Sequence, residues 1–225
     1  MKKERTISKI DIVYALGIYV AYCVMIYLLA IYYDALPQIT MFGYGFIPTS
    51  WLFYLLIIGF VIGFRRQSFE SIGFGQKNSV KSIKLGLAVS LIFVVITISS
   101  AMVQSPLTFK PLGFIGYGVF YYLLEIGLLE ELMFRGFIQT RLLPFFKRRF
   151  TAIAIVGVLF MVMHIPFQMG IRNMGLIEFI QYDYVHLLLT FVYHFMFTFL
   201  YLKYKHIAAP TIVHFFMNFT SSIIV

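Results

Sequence analysis

Three acids and one base fall within eleven residues of a single apolar run: Glu125, Glu130, Glu131 and Arg135 in FIGYGVFYYLLEIGLLEELMFRGFIQ. At a helix centre in hydrocarbon each charge costs roughly 2.5–3.5 kcal/mol on insertion scales, so such residues mark function by default. Glu131 and Arg135 are four apart, share a helical face and can pair. Glu130 is turned about 100° from Glu131, which leaves it without a partner on its own helix, a situation that suits a general base. Two further apolar runs supply polar groups. AIAIVGVLFMVMHIPF carries His164, and IAAPTIVHFFMNF carries His214 and Asn218, four apart and therefore pointing the same way from one helix. A base, a water and N–H donors aimed at a developing negative oxygen are what peptide-bond hydrolysis requires.

Singly, each group has a plain structural reading. Glu130, Glu131 and Arg135 could form an ion-pair network that fixes helix packing. His164 could be a satisfied core histidine, and His214 with Asn218 could be interhelical hydrogen-bond glue. His186 and His194 carry less weight: packing is the first reading of His194, a supporting partner the second. His206 reads as interfacial. Glu125 belongs to no motif and could face a water-filled cavity.

The elements that must position these groups are membrane spans. The chain has 225 residues, 61% hydrophobic and 12% charged, with a mean hydropathy of +0.89. A soluble domain is nearer half apolar and a quarter charged, so this excess needs a nonaqueous solvent. The composition excludes a secreted disulfide scaffold, a soluble enzyme and a nucleic-acid-binding domain. Cys23 is the single cysteine, so no internal disulfide can form.

A span takes about 20 mostly apolar residues. Seven segments qualify: 10–33, 47–64, 80–103, 114–139, 150–167, 184–204 and 207–225. The expected fold class is thus all-α, a polytopic bundle of about seven spans. The first segment is too long, and lacks a small-residue cleavage site, to be a removable signal peptide. Of 18 Lys and Arg residues, 15 fall in the N-terminal tail (Lys2, Lys3, Arg5, Lys9) and in the regions of the second, fourth and sixth loops, span edges included. Only Lys110 and Arg172 lie in the odd-numbered loops, and Arg135 lies inside a span. This bias predicts a cytoplasmic N-terminus and an outer C-terminus. It also explains the basic net charge without a nucleic-acid partner. The second loop, RRQSFESIGFGQKNS, is expected to form a short interfacial helix. Gly59 and Gly63 are expected to make a helix-packing face.

Glu130-Glu131-Leu-Met-Phe-Arg135 matches EExxxR, Phe160-Met-Val-Met-His164 matches FxxxH, and His214-Phe-Phe-Met-Asn218 matches HxxxN. In this order, each inside an apolar run, they resemble the CPBP family of CAAX-protease and bacteriocin-processing intramembrane proteases, also called Abi proteins. The motif-bearing core spans 114–225, and the three preceding spans, 1–113, match in character rather than by motif. The resemblance implies that Glu130 activates a water, that His164 orients or polarises it, and that His214 and Asn218 bind the oxyanion. Glu131 and Arg135 would support the site.

Members of the family are often called metalloproteases, and Glu130, His164 and His214 would be the zinc ligands on that view. The family has also been described as metal-free glutamate proteases, which uses the four residues more economically and requires no cofactor. HExxH, GxSG and GxGD, the marks of other intramembrane proteases, are absent.

Eukaryotic relatives trim prenylated CaaX proteins, and bacterial relatives are associated with bacteriocin immunity and peptide maturation. The compact chain looks more like the latter, in a bacterial plasma membrane. The reading is therefore an intramembrane endopeptidase acting on a membrane-associated peptide or protein. The alternative is a noncatalytic membrane scaffold or immunity protein that binds a partner peptide. A transporter ranks third, because no repeat pairs the two halves.

Overall fold

The structure is a computed structural model, and residues 6–225 are described. Lys2, Lys3 and Arg5 of the expected basic tail lie outside the described residues. Helix makes up 81% of the described residues, which agrees with the all-α expectation. Seven helices occur among the described residues. They are α1 (Lys9–Tyr32), α2 (Thr49–Phe64), α3 (Ser79–Gln104), α4 (Leu112–Phe145), α5 (Arg149–Arg172), α6 (Leu176–Tyr204) and α7 (Ala208–Ile223).

Five of them, all but α2 and α7, are long and apolar enough to cross a membrane. The other two have 16 residues each. At 1.5 Å per residue that is about 24 Å, short of a ~30 Å hydrocarbon layer. Helix ends also differ from the expected ones. α5 runs through Pro166 to Arg172, because the fixed φ of proline is tolerated within a helix that neighbours hold straight. α6 starts at Leu176, and continues across a kink at Asp183 (φ −117°, ψ 17°). Glu178 is therefore helical, and Asp183 is the non-helical kink residue between two helical stretches rather than part of a loop.

One small sheet interrupts the helices. Strands β1 (Ile39–Met41) and β2 (Tyr44–Phe46) pair antiparallel. Phe42 (φ 53°) and Gly43 (φ 87°) both take the left-handed conformation that a tight two-residue hairpin needs. The stretch after α2 forms only two 3₁₀ turns, Phe69–Ile72 and Gln76–Asn78, instead of an interfacial helix. It is pulled inward by Arg141, which is fully buried and donates to Gln67 Oε1 (2.7 Å) and the Ser71 carbonyl (2.9 Å). Arg141 is thus a structural anchor as well as one of the basic residues of its flank.

α7 is the element on which the site depends, and its neighbours are shaped to admit it. A Cβ on Gly86 of α3 would stand 3.0 Å from Ala209 Cα and O and from Ile212 Cβ. A Cβ on Gly127 of α4 would stand 3.4 Å from the Thr211 carbonyl. Small residues at these two points let α7 lie close against both helices. The expected packing face at Gly59 and Gly63 is not one: a Cβ at either position would meet nothing within 4 Å. Both glycines face outward on a π-helical turn, Gly59–Phe64, whose Val61 is buried in the core.

α7 is tied at both ends. At its start His206 Nδ1 accepts from the Ala208 N–H (3.0 Å) and Ser82 Oγ accepts from the Ala209 N–H (2.9 Å). The His206 side chain is buried within the protein, in the turn between α6 and α7. At its end the Lys110 N–H donates to the Ile223 carbonyl (2.9 Å). Large apolar side chains such as Val13, Leu55, Leu91, Val103 and Ile177 remain exposed on the outer faces, as expected of helices whose solvent is lipid.

Candidate active site

Glu130, His164, His214 and Asn218 line one cavity of about 410 Å³. They reach it from three helices, α4, α5 and α7, so the sequence motifs converge in space. Glu130 and Glu131 sit on a single α-helical turn, Leu129–Glu131, between two π-helical stretches, Tyr121–Leu128 and Leu132–Gln139. Adjacent on one α turn, the two side chains point about 100° apart. The two adjacent carboxylates accordingly face different surroundings.

Glu130 faces the cavity. Its Oε2 lies 3.9 Å from His164 Nε2 and 3.7 Å from His214 Nε2, and has no hydrogen-bond partner of its own. Hydrogen bonds on the far side of each ring suggest why. His164 Nδ1 lies 2.8 Å from the Phe160 carbonyl, which can only accept. His214 Nδ1 lies 2.9 Å from Glu131 Oε1. Both rings therefore carry a proton on Nδ1, and in their neutral forms present a bare Nε2 toward Glu130. Three acceptors turned toward each other are a place for a proton-bearing guest, and water is the simplest one.

Zinc would sit at about 2.0–2.2 Å from such ligands, which brings two donors of one tetrahedral ion to within about 3.4 Å. The measured separations exceed this. Among the described residues, no group of three His, Cys, Asp or Glu side chains is placed to hold a metal ion. Glu130, His164 and His214 are the residues that would hold such an ion.

Glu131 faces away from the cavity. Its Oε1 accepts from Arg135 Nη1 at 3.0 Å as well as from His214. Both residues are fully buried, which realises the pairing expected from their spacing. The guanidinium carbon lies 4.2 Å over the Phe160 ring and 5.0 Å over Phe197. The phenylalanine of FxxxH therefore has two contacts: its ring covers the arginine and its carbonyl orients the histidine. Phe197 also stacks on His214, with ring centroids 4.8 Å apart and planes 21° from parallel.

Three buried residues outside the motifs extend this network. Arg135 Nη2 lies 3.2 Å from His194 Nδ1, His194 Nε2 lies 3.2 Å from Thr198 Oγ1, and Thr198 donates to Gln139 Oε1 at 2.9 Å. Sequence reasoning weighed His194 mainly as packing and passed over Thr198 and Gln139. A spacing signal existed: Gln139 follows Arg135 by four, and Thr198 follows His194 by four.

Glu125 also lines the cavity, but one of its oxygens accepts from the Ser50 N–H (3.4 Å) at the start of α2. That helix has no capping side chain of its own, so Glu125 meets its positive end from a neighbouring helix. His186 lines the cavity too. Its Nδ1 lies 3.0 Å from Asp183 at the α6 kink, and its ring centroid lies 5.9 Å from that of His164.

The stretch of sequence that builds this site has a counterpart among known families. Residues 111–220 match the Rce1-like family, described as type II CAAX prenyl endopeptidase Rce1-like. The similarity to this family thus covers 110 of the 225 residues. The match is consistent with the CPBP resemblance and spans all three motifs. No curated protein and no solved structure matches the chain. A family of membrane proteases, together with the long apolar helices, makes this an integral membrane protein of the protease type.

Proposed function

We propose that this chain is an intramembrane endopeptidase that hydrolyses membrane-associated peptides with a water activated by Glu130. The observation that carries the reading is the unpartnered, buried Oε2 of Glu130, facing two bare imidazole nitrogens at the wall of a cavity that Asn218 shares. A water lodged there donates to Glu130 and is oriented by His164. As its oxygen bonds to the scissile carbonyl carbon, its proton passes to the Glu130–His214 pair. The Asn218 amide donates to the oxygen that becomes negative. His214 donates from Nε2 only once that nitrogen holds a proton, since its Nδ1 hydrogen is committed to Glu131. Its role in stabilising the oxyanion thus follows proton transfer instead of preceding it. Collapse of the intermediate breaks the C–N bond, and the proton leaves on the departing amine.

In this reading the bundle spans the membrane seven times, α2 and α7 crossing a layer thinned around them. The N-terminus is cytoplasmic, as the basic flanks favour, in a bacterial plasma membrane. The chemistry needs the chain's own residues and a water. A role in bacteriocin immunity or peptide maturation would supply the substrate.

The test is cleavage of candidate peptides by the protein reconstituted in liposomes, wild type against Glu130→Gln and His214→Ala. Loss of cleavage in both variants, with folding intact, supports the assignment. Equal cleavage in wild type and both variants overturns it. A biological effect retained in both variants without any cleavage would favour the noncatalytic scaffold.

A further inference from the structure

A buried arginine imposes direction on every hydrogen bond it makes, because a guanidinium has five donors and no acceptor. Arg135 therefore donates to His194 at Nδ1, which must be bare. A neutral His194 then carries its hydrogen on Nε2 and donates it to Thr198, whose own hydroxyl hydrogen goes to Gln139 Oε1. In the other direction Arg135 donates to Glu131, and the same carboxylate oxygen receives the His214 Nδ1 hydrogen. The chain of contacts runs from Gln139 to the cavity, and the Ile153 carbonyl is a second acceptor for the His194 ring hydrogen. His194, Thr198, Gln139, Arg135 and Glu131 are all buried, so no bulk water competes for these positions.

We propose that His194 is a positioning residue of this active centre. By accepting from Arg135 it aims the guanidinium at Glu131. Through Glu131 it holds His214 with Nδ1 protonated and Nε2 turned toward Glu130. This rests on the protease reading for its effect on rate, but the hydrogen-bond consequence stands by itself. His194 is not itself among the side chains that line the cavity.

Three variants and two readouts test it. His194→Phe keeps a planar ring but offers Arg135 no acceptor. His194→Asn restores an acceptor oxygen near the place of Nδ1. Thr198→Val removes the partner at Nε2 with little change of shape. The proposal expects kcat to fall roughly 10–100-fold in His194→Phe, in the range of losses seen when an outer-shell partner is removed, with KM within about twofold. His194→Asn should recover most of that loss, and Thr198→Val should lie between them.

The second readout is ¹⁵N NMR of histidine-labelled protein in bilayers. It should show His214 protonated at Nδ1 in wild type and a redistributed tautomer in His194→Phe. An unchanged kcat in His194→Phe, or an Asn variant no better than a folded Phe variant, overturns the proposal. So does a His214 signal that is the same in wild type and His194→Phe. If wild type itself cleaves nothing, the protease reading fails, and the NMR comparison still decides the positioning role.

Discussion

Arg135 offers the sharpest test of how this site is held together, through its replacement by Lys and by Met. The guanidinium makes two hydrogen bonds in opposite directions, to Glu131 at 3.0 Å and His194 at 3.2 Å, between two phenylalanine rings. Lysine keeps the charge opposite Glu131 but is a point donor that cannot fork or stack in the same way. Leaving a buried acceptor on His194 unmet costs about 1–3 kcal/mol, and loss of the ring contacts adds about 1 kcal/mol. Arg135→Lys should therefore destabilise by about 2–4 kcal/mol. Arg135→Met suffers the same losses and also strands Glu131, which for a buried pair costs about 3–5 kcal/mol. Neighbouring terms do not sum cleanly, so the useful expectation is an order with a gap: Met worse than Lys by at least ~2 kcal/mol. The assay is reversible unfolding in bicelles with increasing SDS. A cycle with Glu131→Gln adds a second criterion. Removing the carboxylate charge first should make Arg135→Met milder, since no anion is then stranded. Equal destabilisation by Lys and Met, or a double variant that loses the full sum of the singles, would refute the argument that a desolvated ion pair organises this centre.

Other outcomes follow from the same geometry. Asn218→Ala should lower kcat by roughly 10²–10³ while KM changes little, as for loss of one oxyanion donor, measured by steady-state cleavage. Gly86→Val should destabilise the fold by about 1–3 kcal/mol, because its Cβ would press on Ala209 backbone at 3.0 Å; a neutral result in SDS titration would contradict the close α3–α7 contact. Burial holds the His206 imidazole below its ordinary value, and its Nδ1 must stay bare to accept from Ala208. The unfolded chain takes up a proton near pH 6.5 that the folded chain refuses. Stability should therefore be full above about pH 6.5 and decline as pH falls below it, with the slope reduced in His206→Asn. EDTA should leave cleavage unchanged, and restoration by zinc after chelation would contradict the metal-free chemistry.

Much of this protein can be read directly from its residue types and spacing. Hydropathy marks all seven helical segments, since a run that cannot face water has few other options. The convergence of EExxxR, FxxxH and HxxxN follows from each being a polar interruption in hydrocarbon, where a lone polar group is costly. The i, i+4 relation of Glu131 and Arg135 is a local property of any helix, and it holds. Less legible was everything set by neighbours in space. Nothing local distinguishes Gly59 and Gly63, which pack against nothing, from Gly86, which receives a whole helix. Arg141 counts as a flanking charge in the sequence, yet Gln67 and Ser71 turn inward to surround it. Asp183 looks like a loop residue, and the helix instead kinks and continues.

The deepest such difference concerns the histidines. A sequence states that His164, His214 and His194 exist, but the proton on each ring is decided by what sits opposite Nδ1: a carbonyl, a carboxylate and a guanidinium in turn. Those partners lie four residues away in one case and 83 or 59 away in the others. Solvent preference, a property of each segment alone, was written in the sequence. For His214 and His194 the direction of the hydrogen bond was decided only in the tertiary structure, because it takes two groups, brought together from different helices, to define it.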